Sequence, residues 1–192
     1  MACNAANSPP WHNEPVKFTE TKLTDVFIVD IEGDEDERGF FSRTWDEKAG
    51  SEKGLLPSHM VQFSTSFNHV KGTTRGMHFQ KSPHLEAKVV RCTQGALYDV
   101  AVDLRTDSPT YTKWVAVELT ADNRRSLYIP EGCAHGFQTL TDKAEVLYMM
   151  SAYYVPEYAS GVRFNDPAFA IEWPVTPVRM SEKDKNWPDW KV

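Results

Sequence analysis

Short strand-like apolar runs fill the chain from about residue 25 to residue 150. The clearest runs are 25–31, 88–92, 97–104, 114–119, 126–130, 136–140 and 145–150. The segments between them, such as TQG, TDSPT, TADNRR and PEG, carry the Gly, Pro, Asn and Asp that turns require. Strands at this spacing indicate an all-β fold, built as an antiparallel sandwich or barrel.

Helical patterns are few and short. Residues 44–55 predict a turn or two of helix, and residues 181–187 begin with a Ser-x-x-Asp capping pattern. The segment 165–180 is rich in proline and aromatic residues, and we expect it to pack across the sheet as irregular strand. The helices should therefore be short and peripheral.

The run 97–104 places two acids on one face of its predicted strand. Asp99 and Asp103 alternate with Val100 and Val102, so the acids share the face opposite the valines. Such a face is either half exposed or lines a polar cavity. The pattern alone favours exposure.

Composition supports one domain with a sizeable core, since 41% of the 192 residues are hydrophobic. Residues 1–15 are polar and proline-rich without the features of a signal peptide, and we interpret them as a mobile arm before a single domain at 16–192. The sequence contains no apolar run long enough to span a membrane.

Charge and cysteine content narrow the class of protein further. A net charge of −6 argues against a nucleic-acid binder, although a few basic residues in one pocket can hold a phosphate. Cys3, Cys92 and Cys133 form an odd set without a CxxC pair. This pattern favours buried thiols and a reducing, cytoplasmic compartment.

The segment 73–91 concentrates residues that can carry chemistry. Arg75, His78 and Lys88 fall within fourteen residues, and His135 follows a turn in the sequence PEGCAH. A metal-binding cupin would need a second ligand at position 80, where this chain has glutamine, a poor ligand. The cations instead suit an anionic substrate and a developing oxyanion, with a neutral histidine as base. A histidine packed in the core is the third alternative.

The sequence pattern alone leaves open which faces Arg75 and His78 occupy and whether Tyr148 and Asp184 have more than a structural role. Strict alternation puts Arg75 and His78 on opposite faces of the strand, unless Gly76 marks a bulge that redirects one of them. Tyr148 has the pattern of a packed strand tyrosine, and Asp184 that of an acid at a helix start.

A set of ordered segments resembles a known family. The segments are DERGFF, RGMHFQ, AKVVRCTQGALYDVAVDLRTDSPTY, WVAVELTADNRRSLYIPEG, AHGF, AEVLYMMSAYYVPE, NDPAFAIEWP and MSEKD. Together they closely resemble the dTDP-4-dehydrorhamnose 3,5-epimerase family over roughly residues 20–185. The resemblance implies a cupin-like jelly-roll sandwich or barrel, usually a homodimer. It also implies substrates that are dTDP-linked 4-keto-6-deoxy sugars, and no metal or other cofactor.

The same resemblance implies roles for individual residues. His78 matches the catalytic base, Asp184 the aspartate paired with that base, and Tyr148 the proton donor. The residues that match substrate contacts are Arg38, Gln62, Arg75, Lys88 and His135.

The chain also departs from the family pattern at positions that we expect around the pocket. Arg43 stands where the family commonly has an acid, residues 62–68 contain one extra residue, Cys133 replaces an aromatic residue, and Met149 replaces a lysine after Tyr148. These departures leave open a single-site epimerase or a ketoisomerase of another nucleotide sugar. A non-catalytic sugar-nucleotide-binding cupin and a metal-dependent cupin enzyme are the remaining alternatives.

Overall fold

The computed structural model describes residues 16–191, which form thirteen strands and two short helices. The strands are β1 Val16–Glu20, β2 Phe27–Ile31, β3 Asp34–Asp36, β4 Gly39–Phe41, β5 Gln62–Asn68, β6 Thr74–Gln80, β7 Lys88–Gln94, β8 Ala96–Asp103, β9 Trp114–Thr120, β10 Ser126–Ile129, β11 Cys133–Thr139, β12 Ala144–Met150 and β13 Ala159–Gly161; the helices are α1 Glu47–Glu52 and α2 Glu182–Lys185. The arm expected at residues 1–15 lies outside the described residues. Neither helix is long and apolar enough to cross a membrane.

Two antiparallel sheets make the sandwich. One has six strands in the order β1-β2-β10-β7-β12-β5, and the other has five in the order β13-β6-β11-β8-β9. Strands β3 and β4 form a separate hairpin. The predicted all-β sandwich with short peripheral helices is confirmed, and each of the seven apolar runs forms a strand.

Alternation within the strands builds the core between the sheets. This core contains Val90 and Cys92 from β7, Leu97 from β8, Leu127 from β10 and Phe137 from β11, all nearly or fully buried. Alternate side chains of a strand point to opposite faces, so each of these strands sends every second residue inward. Cys92 and Cys133 are buried free thiols, as expected.

The outer faces of both sheets are also covered. On the six-stranded sheet, Tyr128 and Met149 pack with Leu55 and Trp45, from the segment around α1. On the five-stranded sheet, a third cluster packs residues of the strands with the C-terminal segment; it includes Met77, Val100, Val102, Phe169 and Ile171. The segment 165–180 therefore packs across the sheet as expected, and most of its backbone is irregular.

The expectation that Asp99 and Asp103 are exposed is wrong. Strand β8 has both faces covered, so both side chains are fully buried on the inner face. Asp103 accepts hydrogen bonds from Arg105, and from the hydroxyls of Ser108 and Thr110. Asp99 pairs with His135. Burial of an acid is tolerated when such partners replace water, and the sequence pattern does not reveal them.

Candidate active site

A cavity of about 750 Å³ lies between the two sheets. Strands β5, β6, β7, β11 and β12 and helix α2 all contribute to its wall. Seven of the eight site residues expected from the sequence line it: Gln62, Arg75, His78, Lys88, His135, Tyr148 and Asp184. Residues from distant parts of the chain thus meet in one place.

A bulge in β6 turns both Arg75 and His78 toward the cavity. The register with β11 pairs His135 with His78 and then Phe137 with Arg75, so β6 has one extra residue there. Gly76 adopts a φ of +118°, and an added Cβ would lie 2.5 Å from the Gly136 Cα. Only glycine fits this conformation and this close approach. The bulge predicted at Gly76 is confirmed.

His78 and Asp184 form a histidine–carboxylate pair. The His78 Nε2 lies 2.6 Å from the Asp184 Oδ1, and the Gly76 N–H donates to the Oδ2 of Asp184 at 3.4 Å. Asp184 is buried in α2, whose N-cap is Ser181, while the His78 side chain is 44% exposed. The contact engages Nε2 and leaves Nδ1 available to take a proton.

The charge of Asp184 is stabilised where it lies. Burial by itself would raise the pKa of its carboxyl. The hydrogen bond and positive charge of His78, the Gly76 N–H and Ser181 outweigh burial, so the pKa lies below its ordinary value. Asp184 is therefore ionised at neutral pH and presents its negative charge to the His78 ring.

Lys88 brings a buried cation to the same wall. Its Nζ lies 2.9 Å from the Glu86 Oε1 and donates to the main-chain oxygen of His78 at 3.3 Å. Glu86 also lines the cavity, and the sequence analysis did not assign it. Its position two residues before Lys88 is a signal that could have identified it.

Tyr148 enters the cavity from the sheet opposite His78. It lies on β12 of the six-stranded sheet, whereas His78 lies on β6 of the five-stranded sheet. Burial raises the pKa of Tyr148 well above its ordinary value, and the Asp99 carboxylate adds to this shift while Arg75 opposes it. The hydroxyl thus keeps its proton at neutral pH and can donate it.

A second histidine–carboxylate pair is fully enclosed beside Tyr148. The His135 Nε2 lies 2.8 Å from the Asp99 Oδ1, and the rings of His135 and Tyr148 meet edge to face with centroids 5.9 Å apart. Burial raises the pKa of Asp99, against the opposing effects of His135 and Lys88. Sequence reasoning identified His135 but not its partner.

The two remaining predicted substrate contacts are Gln62, which lies on the cavity wall, and Arg38, which does not. The Gln62 Oε1 accepts a hydrogen bond from the Tyr154 N–H at 2.8 Å, which leaves the Gln62 NH2 group for the cavity. Arg38 does not line the cavity of its own chain. It is an exposed residue beside the β3–β4 hairpin, where it pairs with Asp36.

Cations gather on the cavity wall and at its rim. Arg75, Arg179 and Lys183 all line the cavity, and no carboxylate among residues 16–191 lies within ion-pair distance of them. The Arg75 Nε donates instead to the Asn68 Oδ1 at 2.8 Å. Unpaired cations at a cavity favour an anionic ligand. The sequence analysis did not assign Arg179 and Lys183.

Of the four departures from the family pattern, one reaches the cavity. Gln62, which belongs to the altered segment of β5, lines it together with Ser64 and Ser66. Cys133 is buried in the core between the sheets, Met149 packs on the outer face of the six-stranded sheet, and Arg43 pairs with Asp46 on the surface. Contrary to expectation, these three do not line the cavity of their own chain.

The residues present do not form a cupin metal centre. Among residues 16–191, no group of three His, Cys, Asp or Glu side chains is arranged to hold a metal ion. The Nε2 atoms of His78 and His135 each face a carboxylate of their own. The amide of Gln80 is engaged as well, since it accepts from the Val155 N–H and donates to the main-chain oxygens of His84 and Tyr153.

The fold and the cavity together define a cupin-like protein whose two sheets enclose a cavity lined by two histidine–carboxylate pairs and a tyrosine. The family model described as dTDP-4-dehydrorhamnose 3,5-epimerase matches residues 20–191. The chain belongs to this family, and the resemblance seen in the sequence is confirmed.

Relatives match over most of their length. The dTDP-4-dehydrorhamnose 3,5-epimerase of Methanothermobacter thermautotrophicus is 43% identical over 89% of this chain and 92% of its own. The crystal structure of the Bacillus anthracis enzyme of the same name, with TDP and PPi bound, is 41% identical, with a TM-score of 0.87 over 92% of this chain and 100% of its own. A 3'-monoepimerase from Streptomyces bikiniensis, solved with dTDP-quinovose, is 28% identical, with a TM-score of 0.81 over 88% and 85% of the two chains.

Proposed function

We propose that this chain epimerises a dTDP-linked 4-keto-6-deoxy sugar at carbons 3 and 5, without a metal or other cofactor. The observation that carries the proposal is the placement of two proton-transfer groups. His78, paired with Asp184, and Tyr148 reach one cavity from facing sheets. A sugar ring held between them has one group on each face. Family membership and the bound nucleotides of the relatives support the substrate class.

Proton removal begins at a carbon next to the ketone. The ketone at carbon 4 acidifies the protons on carbons 3 and 5, and His78 takes one of them. Asp184 holds the imidazole tautomer and stabilises the imidazolium that forms. The enolate oxygen needs a nearby cation, and the buried Lys88 Nζ supplies it in a site of low dielectric.

Inversion requires a proton from the opposite face. Tyr148 gives its hydroxyl proton to the carbon, because its raised pKa keeps it protonated until the carbanion character of the enolate draws the proton away. The C–H bond broken on one face is thus replaced by a C–H bond on the other. His78 ends protonated and Tyr148 ends as a phenolate.

The unpaired cations hold the diphosphate. Arg75, Arg179 and Lys183 line the cavity, and an arginine binds phosphate oxygens through paired hydrogen bonds. Gln62 offers an NH2 donor on the same wall. These few positive charges suit an anionic substrate although the whole chain carries a net charge of −6.

We also propose a cytoplasmic homodimer. Strand β5 is an edge strand, and it exposes 60% of Phe63 and 41% of Phe67. Apolar side chains on an open sheet edge favour association with another chain. Arg38 lies outside its own cavity, so its role as a substrate contact requires a second copy. The buried, unpaired thiols of Cys92 and Cys133 support a reducing compartment.

Proton exchange in heavy water tests the assignment of the two groups. The His78→Asn variant should wash no deuterium into a dTDP-4-keto-6-deoxyhexose, because the base is gone. The Tyr148→Phe variant keeps the ring, so exchange should persist while inverted product falls by about a hundredfold or more. NMR of the sugar protons measures both quantities, and the enzyme is first dialysed against a chelator.

Three results would contradict the proposal. They are near wild-type exchange in His78→Asn, equal loss of exchange and inversion in Tyr148→Phe, and loss of wild-type activity in the chelator. The alternative of a single-carbon epimerase is favoured by the altered β5 wall and by the Streptomyces bikiniensis monoepimerase. Deuterium at both carbons 3 and 5 supports a double epimerase, and deuterium at one carbon supports the alternative.

A further inference from the structure

The buried pair of His135 and Asp99 has no role in the proton transfers described above. Both side chains are at least 95% buried, and the Asp99 Oδ2 has no hydrogen-bond partner among residues 16–191. A buried carboxylate with one partner is strongly disfavoured as a bare anion. The cost falls when the carboxylate faces an imidazolium, in which His135 carries one proton at Nε2 against Asp99 and a second at Nδ1.

Each inversion leaves the two acid–base groups in the wrong protonation states for the next one. His78 has gained a proton and Tyr148 has lost one. The His78 side chain is 44% exposed and open to water, whereas Tyr148 is half-buried in the cavity wall. A buried phenolate is costly. The enzyme thus needs a route that returns a proton to Tyr148.

Position makes His135 the donor for this route. Its ring packs edge to face against Tyr148, at 5.9 Å between centroids, and a water in the cavity beside them can link the two side chains. On the other side, His135 is the direct cross-strand partner of His78. The three residues thus form a continuous path across the cavity from β6 to β11 to β12.

We propose that the His135–Asp99 pair returns the proton to Tyr148 after each inversion, an inference that rests on the proposed epimerase function. The His135 Nδ1–H bond breaks and an O–H bond forms on the Tyr148 phenolate. His135 keeps its Nε2 proton against Asp99 and becomes neutral. Its Nδ1 then regains a proton from the His78 imidazolium through water in the cavity. One proton is thereby restored to Tyr148 for each proton taken from the substrate.

Other ionisable groups on the cavity wall are less suited to this transfer. They are Arg75 and Arg179, Lys88 with Glu86 beside it, Asp184 and Lys183 on α2, and Tyr154. Arginine does not deprotonate, Lys88 and Glu86 are engaged with each other, and Asp184 is engaged with His78. Lys183 lies over the Trp187 ring, and Tyr154 is exposed to solvent. Asp99 acts through His135 and is a positioning residue that keeps the proton in place.

The Asp99→Asn variant separates proton return from inversion. Asparagine has nearly the same shape and still accepts from Nε2, but it carries no charge to stabilise the imidazolium. The variant is mixed with excess dTDP-4-keto-6-deoxyglucose and quenched on the millisecond scale. We expect the first inversion to occur within about threefold of the wild-type rate and later turnovers to be slowed at least tenfold, the size typical of a lost acid–base group.

Two controls distinguish this role from a structural one. Added imidazole, a small proton donor, should accelerate the later turnovers of Asp99→Asn and leave the wild type unchanged. Asp103→Asn changes a second fully buried acid on the same face of β8, outside the cavity, and should lower stability without separating the first turnover from later ones. Asp99→Ala provides a second variant if Asp99→Asn fails to fold, and it should show the same separation.

The outcomes distinguish this inference from the proposed function. Equal slowing of the first and later turnovers in a folded variant, or the absence of imidazole rescue, would overturn proton return through His135. A wild-type enzyme that neither exchanges nor inverts this substrate would instead overturn the epimerase function itself.

Discussion

At the scale of single residues, Asp184 is a buried carboxylate whose charge is stabilised by its hydrogen-bond partners. Its carboxylate receives His78 at one oxygen and the Gly76 N–H at the other. Because its pKa in the fold lies below the ordinary value, the folded protein binds this proton less readily than the unfolded chain does. The resulting stabilisation is fully present above the unfolded pKa of about 4 and is lost as pH falls through the folded value.

Asp184→Asn should therefore reduce stability in a pH-dependent way. At neutral pH we expect a loss of about 1–3 kcal/mol in the free energy of unfolding, because the variant loses a charged hydrogen-bond acceptor. The difference in the free energy of unfolding between the variant and the wild type should shrink below about pH 4, because the unfolded wild-type chain binds a proton there while the folded protein does not. Urea unfolding at several pH values measures it. The control is Glu182→Gln, which changes an exposed acid of the same helix. If the stability difference between Asp184→Asn and the wild type did not change with pH, the assignment would be contradicted.

At the scale of elements, the bulge in β6 decides which side chains reach the substrate. A regular strand would send Arg75 and His78 to opposite faces. The extra residue opposite β11 brings both to the cavity, and Gly76 makes this possible through its positive φ and lack of a side chain. A local backbone irregularity thus places both the proposed base and a proposed anion contact.

Gly76→Ala should disrupt this element. The positive φ and the 2.5 Å approach to the Gly136 Cα together predict a loss of about 3 kcal/mol in the free energy of unfolding. Gly54→Ala is matched for backbone strain, since Gly54 has a φ of +86° but no atom within 4 Å of an added Cβ. It should lose only about 1 kcal/mol. Chemical denaturation of both variants compares them, and equal losses would mean that the close approach to β11 contributes nothing.

At the scale of the whole molecule, the edge strand β5 links the cavity to the proposed dimer. Its inner face contributes Gln62, Ser64 and Ser66 to the cavity, while its outer face exposes Phe63 and Phe67. A second copy on this edge would lie next to the substrate. Such a neighbour could supply Arg38, which one chain by itself leaves outside the site.

The protein should elute at twice the 21.9 kDa of one chain in size-exclusion chromatography with light scattering. The Phe63→Ser/Phe67→Ser variant should shift toward monomer, because both apolar contacts at the edge are lost. Val178→Ser, which changes an exposed apolar residue of the C-terminal segment, should remain dimeric. A wild type that is monomeric at micromolar concentration would contradict the proposed dimer.

Mixed dimers test whether Arg38 serves the second copy. Arg38→Ala and His78→Asn chains are each expected to be impaired, and they are unfolded and refolded together. A mixed dimer then holds one cavity with His78 from one chain and Arg38 from the other. Activity above that of the separate variants supports the contact between copies, whereas no recovery means that Arg38 acts in its own chain or not at all.

The sequence by itself determined the strands formed by its seven apolar runs and the sandwich, and with the family resemblance it gave seven residues of the cavity wall. Alternation and turn residues suffice for strands such as β7, β8 and β12, because the polar–apolar period reflects the backbone geometry directly. The Ser181 cap likewise predicted α2 from four adjacent positions. The family resemblance supplied Tyr148 and Asp184, which pattern alone left as a packed tyrosine and a helix-start acid.

Only the tertiary structure decided which of these residues act together. Asp99 and His135 lie 36 positions apart, and they meet because β8 and β11 are adjacent in one sheet. Asp99 was expected to be exposed because its alternation does not tell whether a strand is covered on one face or on both. Arg38 resembles a substrate contact in sequence, yet it lies outside the cavity of its own chain. Burial, pairing and distance depend on contacts between remote segments, and those contacts arise only when the two sheets pack.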